Sequence, residues 1–281
     1  MKTAFVVLTY NRSDALLAVL RSLGPQLSAR HEVIVADDGS RPEHVQALRE
    51  GLPAFGCRVR HVWHPDVGFT AGRARNLGAA QADADYLVFM DGDCVPAKRF
   101  VQMHERLAQR GHFVNGSRVL LSEGLTRQVL AGELNLPGVR PVQWLALRMA
   151  GDVNKLTHLL QWPGAPGRVE ERFRWKGIRS CNFGIWREDY ARVNGFDETF
   201  SGWGHEDADM VLRLHNAGLK RKNGFLATEV FHLWHRENSR AEEAANRQRV
   251  LARLESGIIA AGSGFAQALH AADTVVTELN S

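Results

Sequence analysis

Two carboxylates separated by one glycine, Asp91-Gly92-Asp93, directly follow the apolar run Tyr86-Leu87-Val88-Phe89-Met90. Paired oxygen donors at the end of a buried strand, with a glycine permitting a tight bend, can hold a hard divalent cation that also binds phosphate oxygens. Asp37 and Asp38 end a second apolar run in the same way. One of them could accept a hydrogen bond from a nucleobase imide or a ribose, although Asp-Gly-Ser is equally good turn chemistry. The stretch Gly68 to Asn76, GFTAGRARN, carries Arg73, Arg75 and Asn76 on the opening turns of a helix. Guanidinium groups at a helix N-terminus suit a diphosphate, and would otherwise form a basic, solvated face. Gly202-Trp203-Gly204-His205-Glu206-Asp207 closes a loop and opens a helix with an apolar stripe at Val211, Leu214 and Gly218. Asp207 lies on that stripe, where partial desolvation raises a carboxyl pKa and suits it to act as a base. His232 and His235, in HLWH, are neutral donors or metal ligands whose spacing can direct both toward one ion.

These groups need a scaffold that brings them together. Phe5 to Thr9 reads as a strand, followed by a helix with Leu16, Leu17, Leu20 and Leu23 that stops at Gly24-Pro25. Strand Glu32 to Ala36 leads to a helix opened by Pro42, strand Val59 to Trp63 to a helix over Ala71 to Ala80, and strand Tyr86 to Met90 to the DGD turn. Such alternation implies a parallel sheet with right-handed crossovers and ligands at the carboxyl ends of the strands. Thr9-Tyr10-Asn11, Asp37-Asp38 and Asp91-Gly92-Asp93 all fall at such ends. Residues 118–177 lose regular periodicity and interleave Trp144, Trp162 and Trp175 with arginines and repeated Pro-Gly pairs. They read either as a helical excursion with a mobile segment over the site or as an insertion whose tryptophans pack on the core. Order returns with a strand near Ile178 to Trp186, a helix from Glu206 to Ala217 and a strand from Phe225 to His232; a charged helix follows over Ala241 to Glu255.

The chain has 281 residues, is 44% hydrophobic and carries a formal charge of +4. That excludes a disordered or fibrous class and is enough for one large core. Basic residues are scattered and no aromatic-plus-basic recognition motif is present, so nucleic acid is not expected as a partner. Cys57, Cys94 and Cys181 are odd in number and lack paired spacing, suggesting reduced thiols, neither a disulfide framework nor a zinc site, and a cytoplasmic location. The apolar start is too short for a signal peptide, and no stretch reaches the roughly 20 apolar residues of a membrane span.

With those motifs in view, the sequence resembles the family 2 glycosyltransferases of GT-A fold over about residues 1 to 240. The resemblance is carried by FVVLTYNR, VIVADDGS, AGRARNLGAA, YLVFMDGD and NFGIWREDYARVNGFDETFSGWGHEDADMVLRL. The last run also resembles the C-terminal portion of galactosyl- and N-acetylgalactosaminyl-transferases. The resemblance implies an α/β fold with a Rossmann-like, mostly parallel central sheet. It implies a nucleotide-binding half (1–117), an insertion (118–177), an acceptor-binding and catalytic half (178–240) and a helical tail (241–281).

It further implies an inverting transfer of a hexose or N-acetylhexosamine from a UDP-sugar to an acceptor hydroxyl, with Mn2+ or Mg2+, in cell-surface polysaccharide or glycolipid synthesis. Thr9, Tyr10, Asn11 and Asp38 would hold the uridine, and Arg73, Asn76 and Asp91 would lie near ribose and diphosphate. Asp91 and Asp93 would form the metal motif, completed by His232 or His235. Asp207 would be the base, Glu206 would contact a sugar, and Trp203, Asn182 and Gly204 would line the sugar and acceptor site. His205 stands where galactosyltransferase-like sequences often carry glycine, so the sugar preference does not follow. The acceptor would be a saccharide or lipid-linked saccharide, and the basic, tryptophan-containing segment is compatible with peripheral attachment at the inner face of a membrane. A sugar-phosphate nucleotidyltransferase would instead need a Gly-rich basic loop after the first strand, where this chain has Thr9-Tyr10-Asn11-Arg12. A non-catalytic nucleotide-sugar-binding protein would have lost the Glu206-Asp207 pair.

Overall fold

A computed structural model of the chain describes residues 1–236 and 240–280. Strands β1 (Thr3–Thr9), β2 (His31–Asp37), β3 (Arg58–Trp63) and β4 (Tyr86–Asp91) run parallel in the order β3-β2-β1-β4. The connecting helices are α1 (Ser13–Leu23), α2 (Pro42–Gly51) and α3 (Ala71–Ala80). Helices cover both faces, so these strands are apolar on both. Phe5 and Val7 pack toward α1 with Leu16 and Leu20, while Ala4 and Val6 join Ile34 and Leu77 on the α3 side. In the ladder Thr9 lies opposite Asp37, and Leu8 lies opposite Asp91. The chemically loaded strand ends are therefore level with one another, at the point where the strand order reverses.

Beyond β4 come β5 (Cys94–Pro96), α4 (Phe100–Leu107), β6 (His112–Asn115), β7 (Ser117–Leu120), α5 (Glu123–Leu130), α6 (Pro141–Met149) and β8 (Val169–Glu170). Then follow β9 (Asn182–Trp186), α7 (Arg187–Arg192), α8 (Glu206–Asn216), β10 (Lys220–Asn223), β11 (Glu229–His232), α9 (Glu243–Arg253), α10 (Phe265–Ala268) and β12 (Val275–Glu278). The large sheet has the order β12-β3-β2-β1-β4-β9-β6-β10-β8, with β9 antiparallel to both neighbours. A small sheet, β5-β11-β7, stands beside it and carries His232 at its end.

Several expectations need correction. The strand anticipated over Phe225 to His232 begins only at Glu229, because Ala227 and Thr228 donate their amides back to Gly224 O, at 3.0 and 2.8 Å, closing a turn. The strand anticipated from Ile178 starts at Asn182. The segment read as an appended tail is built into the fold. Helix α9 packs on α8, with Val250 buried beside Ala208 and Leu212, and β12 pairs antiparallel with β3. The boundary drawn at 240 adjoins residues 237–239, which with Ser281 lie outside the described residues. Within the 118–177 segment, Trp144 is buried and stacks on Phe231 at 4.9 Å, as the packed reading required, whereas Trp175 reaches the cleft described next.

Candidate active site

A cleft of about 1220 Å³ opens over the carboxyl ends of β1 and β4. Its floor is Thr9 and the turn after β4, where Gly92 N donates to Leu8 O at 2.7 Å. A Cβ at position 92 would stand 2.7 Å from that same carbonyl, so only glycine lets the DGD turn close onto β1.

The two aspartates of the turn have different partners. Asp91 accepts a hydrogen bond from Arg75 Nη2 at 2.8 Å. Asp93 faces two imidazoles, His235 Nε2 at 3.3 Å and His232 Nε2 at 3.8 Å. Burial pulls the His232 imidazole below its usual value, leaving a neutral ring with a free lone pair. The Cys94 thiol donates to Asp93 Oδ1 at 3.5 Å, and Asp93, Cys94 and His232 have ligand atoms within 4.8 Å of one another. Cysteine spacing alone gave no hint of a metal site, yet Cys94 stands inside this cluster, because β5 runs against β11 with Cys94 opposite His232. All three cysteines are free and buried. The carboxylate and imidazole donors fit a divalent ion that accepts both.

Opposite this cluster, α8 opens into the cleft. His205 precedes it in the left-handed region at φ 69, which swings the following Glu206 and Asp207 inward. Arg75 Nη1 lies 3.5 Å from Glu206 Oε1, so one buried guanidinium bridges Asp91 and Glu206 across the site. Burial, with Asp207 beside it, pushes the Glu206 carboxyl up to about 7, against the pull of Arg75. Asp207 is also raised by burial, countered by the Ala208 amide that donates to its Oδ1 at 2.8 Å. No ion pair to Asp207 occurs among the described residues. Trp203 and Gly204 line the same wall, and Trp175 meets the His205 ring edge-on at 5.4 Å.

Tyr10 and Asp38 line the cleft near the floor. The Tyr10 hydroxyl donates to Asp66 at 2.9 Å, and Asp38 is held by Thr70 Oγ1 at 2.5 Å and His64 at 3.2 Å. Asp37 instead supports the turn, accepting Ser40 N at 2.7 Å and His61 at 2.8 Å.

Four anticipated site residues are directed elsewhere. Asn11 ties two loops together, its Oδ1 accepting Arg41 N at 2.9 Å. Arg73 points to the far side of α3, where its guanidinium meets both oxygens of Asp273 at 2.7 Å. Asn76 is fully buried, donating to Phe196 O at 2.8 Å and accepting the Tyr190 hydroxyl. Asn182 is also fully buried, between His104 at 2.9 Å and the Ser117 carbonyl at 3.1 Å. Of the three α3 residues named in the sequence, Arg75 is the one that lines the cleft. Residues two apart on a helix differ by about 200°, so Arg73 and Arg75 cannot both face the cleft. Arg75 shares its face with Ala71, four residues earlier, and both line the cleft. Helical phase was the signal that could have found it.

A mixed α/β sheet with a parallel β3-β2-β1-β4 half carries an acidic cluster at its switch point, and comparison with known proteins gives the family. The model for glycosyl transferase family 2 matches residues 4–157, and the model described as the N-terminal domain of galactosyltransferase matches residues 167–236. The chain belongs to glycosyl transferase family 2. It is 30% identical over 222 residues to validoxylamine A glucosyltransferase of Streptomyces hygroscopicus subsp. jinggangensis, covering 76% of this chain and 51% of that one. It is 27% identical over 264 residues to chondroitin synthase of Escherichia coli, covering 87% of this chain and 36% of that one. The chain thus spans about half or less of the length of these relatives. Among solved structures it resembles the S. aureus TarS fragment 1-349, with a TM-score of 0.55 at 15% identity, over 95% of this chain and 68% of that one. The fold is GT-A.

Proposed function

We propose that this glycosyltransferase moves a hexose or N-acetylhexosamine from a UDP-sugar to an acceptor hydroxyl with inversion at the anomeric carbon, in polysaccharide or related glycan synthesis. The observation that carries this reading is the pairing of two acidic walls in one cleft, Asp91 and Asp93 on one side and Glu206 and Asp207 on the other, bridged by the buried Arg75. Thr9, Tyr10 and Asp38 would border the uridine. Asp93, with His232 and His235, would hold a divalent cation, Mn2+ or Mg2+. When bound, that ion supplies positive charge for the departing diphosphate.

The half-buried Asp207 carboxylate would take the proton of the acceptor hydroxyl as its oxygen bonds to the anomeric carbon. The bond from that carbon to the diphosphate oxygen breaks on the opposite face, and UDP leaves with the electron pair. Arg75 orients Asp91 and Glu206, and among the described residues Asp207 has no cation within ion-pair reach. Glu206 would contact a sugar hydroxyl, and Trp203 would offer its ring to a sugar face. A saccharide acceptor, free or lipid-linked, fits a cleft of this size. No helix among the described residues is long and apolar enough to cross a membrane.

The test is UDP release from a panel of UDP-sugars with and without Mn2+, for the wild type and for Asp207→Asn. Metal-dependent turnover of one donor, lost in the variant while UDP still binds, is the expected result. Failure of the wild type to bind UDP would overturn the proposal.

A further inference from the structure

Two arginines on the cleft wall lack the partners that their charge requires. Arg118, on β7, and Arg179, just before β9, both line the cleft. The chain around them runs side by side. Asn115 Nδ2 donates to Arg179 O, and Gly116 N donates to Asn182 O, both at 2.7 Å. Gly116 permits that approach, since a Cβ there would fall 2.0 Å from the Asn182 side chain.

Both side chains are half-buried on the wall of one cleft, and burial first, with the Arg118 charge acting in the same direction, pulls the Arg179 guanidinium below its usual value. The Arg179 guanidinium donates to Gly177 O at 3.3 Å, and among the described residues neither arginine has a carboxylate within ion-pair distance. The nearby Glu229 is already matched by Lys155 at 3.1 Å, and Asp207 lies beyond direct contact. Of the other cleft guanidiniums, Arg75 has Asp91 and Glu206, Arg12 has Asp14 and Arg240 has Glu243, while Arg236 is exposed to water. Holding two partly desolvated like charges together without a counterion is unfavourable, and a planar, bidentate anion relieves it.

We propose that Arg118 and Arg179 form an anion subsite for a carboxylate or phosphate carried by one of the sugar substrates, separate from the diphosphate of the donor. The proposal rests on the glycosyl-transfer reading and adds the substrate's chemical class to it. Arg118 and Arg179 line the same cleft as His232 of the metal cluster and the Asp207 carboxylate. A charged group on the donor sugar or on the acceptor could therefore occupy it.

Binding and turnover by the full chain decide between those sources and test the idea. In one arm the Kd of UDP, a UDP-hexose and a UDP-hexuronate are compared by calorimetry. In the other arm neutral oligosaccharides and oligosaccharides bearing a carboxylate or phosphate are compared as acceptors and as competitive inhibitors. The wild type should prefer the anionic member in one arm by about 10- to 100-fold, the range of one or two charge-assisted hydrogen bonds. R179Q and R118Q should remove that preference, with UDP affinity held within about twofold, and R179K should restore part of it. Weakened binding of UDP itself in both variants would assign the guanidiniums to the diphosphate and overturn the subsite. A wild type that binds UDP yet favours neutral ligands in both arms would also overturn it, leaving glycosyl transfer intact. A wild type that binds no UDP would sink the glycosyl-transfer reading, and this subsite with it.

Discussion

Glu206 and Asp207 are adjacent in sequence and share a cleft, yet their surroundings set them to different tasks. Glu206 is held by Arg75 and pushed up to about 7 by burial, whereas Asp207 meets backbone amides, Ala208 N among them, and has no ion-pair partner among the described residues. Asp207→Asn should lower kcat by at least about 10²-fold, the contribution of a positioned general base, while the UDP Kd measured by calorimetry stays within twofold. Glu206 also makes a stability prediction. Its folded pKa lies above the ordinary carboxyl value of 4.5, so the folded state favours the protonated form. That stabilising preference is fully present below about 4.5 and is lost as pH rises through about 7. Above it, the ionised carboxylate beside Asp207 and Asp91 destabilises the fold by about 2–3 kcal/mol. Glu206→Gln should therefore raise Tm at pH 8 and leave it nearly unchanged at pH 4, at the expense of activity; equal gains at both pH values would refute the assignment.

The elements are what hold these side chains at workable distances. The DGD turn closes only because position 92 has no Cβ. Gly92→Ala must move either Leu8 or the turn, shifting Asp93 away from His232 and His235. Mn2+ affinity, read by titration calorimetry, should fall about 10- to 100-fold, as it does when a metal ligand loses its support. Helix α8 is anchored beneath the site by Asp209, whose carboxylate meets Arg213 at 2.7 Å and Arg253 at 2.6 Å, with Arg213 and Asp209 both fully buried. Arg213 also donates to Val193 O at 2.6 Å and Gly195 O at 2.9 Å, which locks the loop after α7 to the helix. Asp209→Ala leaves a buried guanidinium without its counterion and should cost about 3–5 kcal/mol in urea unfolding. A loss under 1 kcal/mol would show that Arg253 and the carbonyls suffice.

Across the whole molecule, the C-terminal residues close an edge of the sheet. β12 pairs with β3 from Val275↔Trp63 to Glu278↔Arg60, and Asp273 binds Arg73. Removal of residues 270–281 should bare the ladder groups of β3, lowering Tm by at least 2–4 °C, the equivalent of about 1 kcal/mol, and producing concentration-dependent oligomers on gel filtration. An unchanged Tm and elution volume would contradict this. The sequence by itself determined the βα alternation, the placing of Thr9-Tyr10-Asn11, Asp37-Asp38 and Asp91-Gly92-Asp93 at strand ends, and the histidine motif, because hydrophobic period and turn chemistry are local properties of the chain. It named Arg73, Arg75 and Asn76 together but could not say which face of α3 meets the cleft. It also missed Cys94 opposite His232, the Asp209–Arg213–Arg253 cluster under α8 and the pair Arg118 and Arg179. Each of these joins residues far apart in the chain, brought together by sheet pairing and helix packing, so only the tertiary structure decided them.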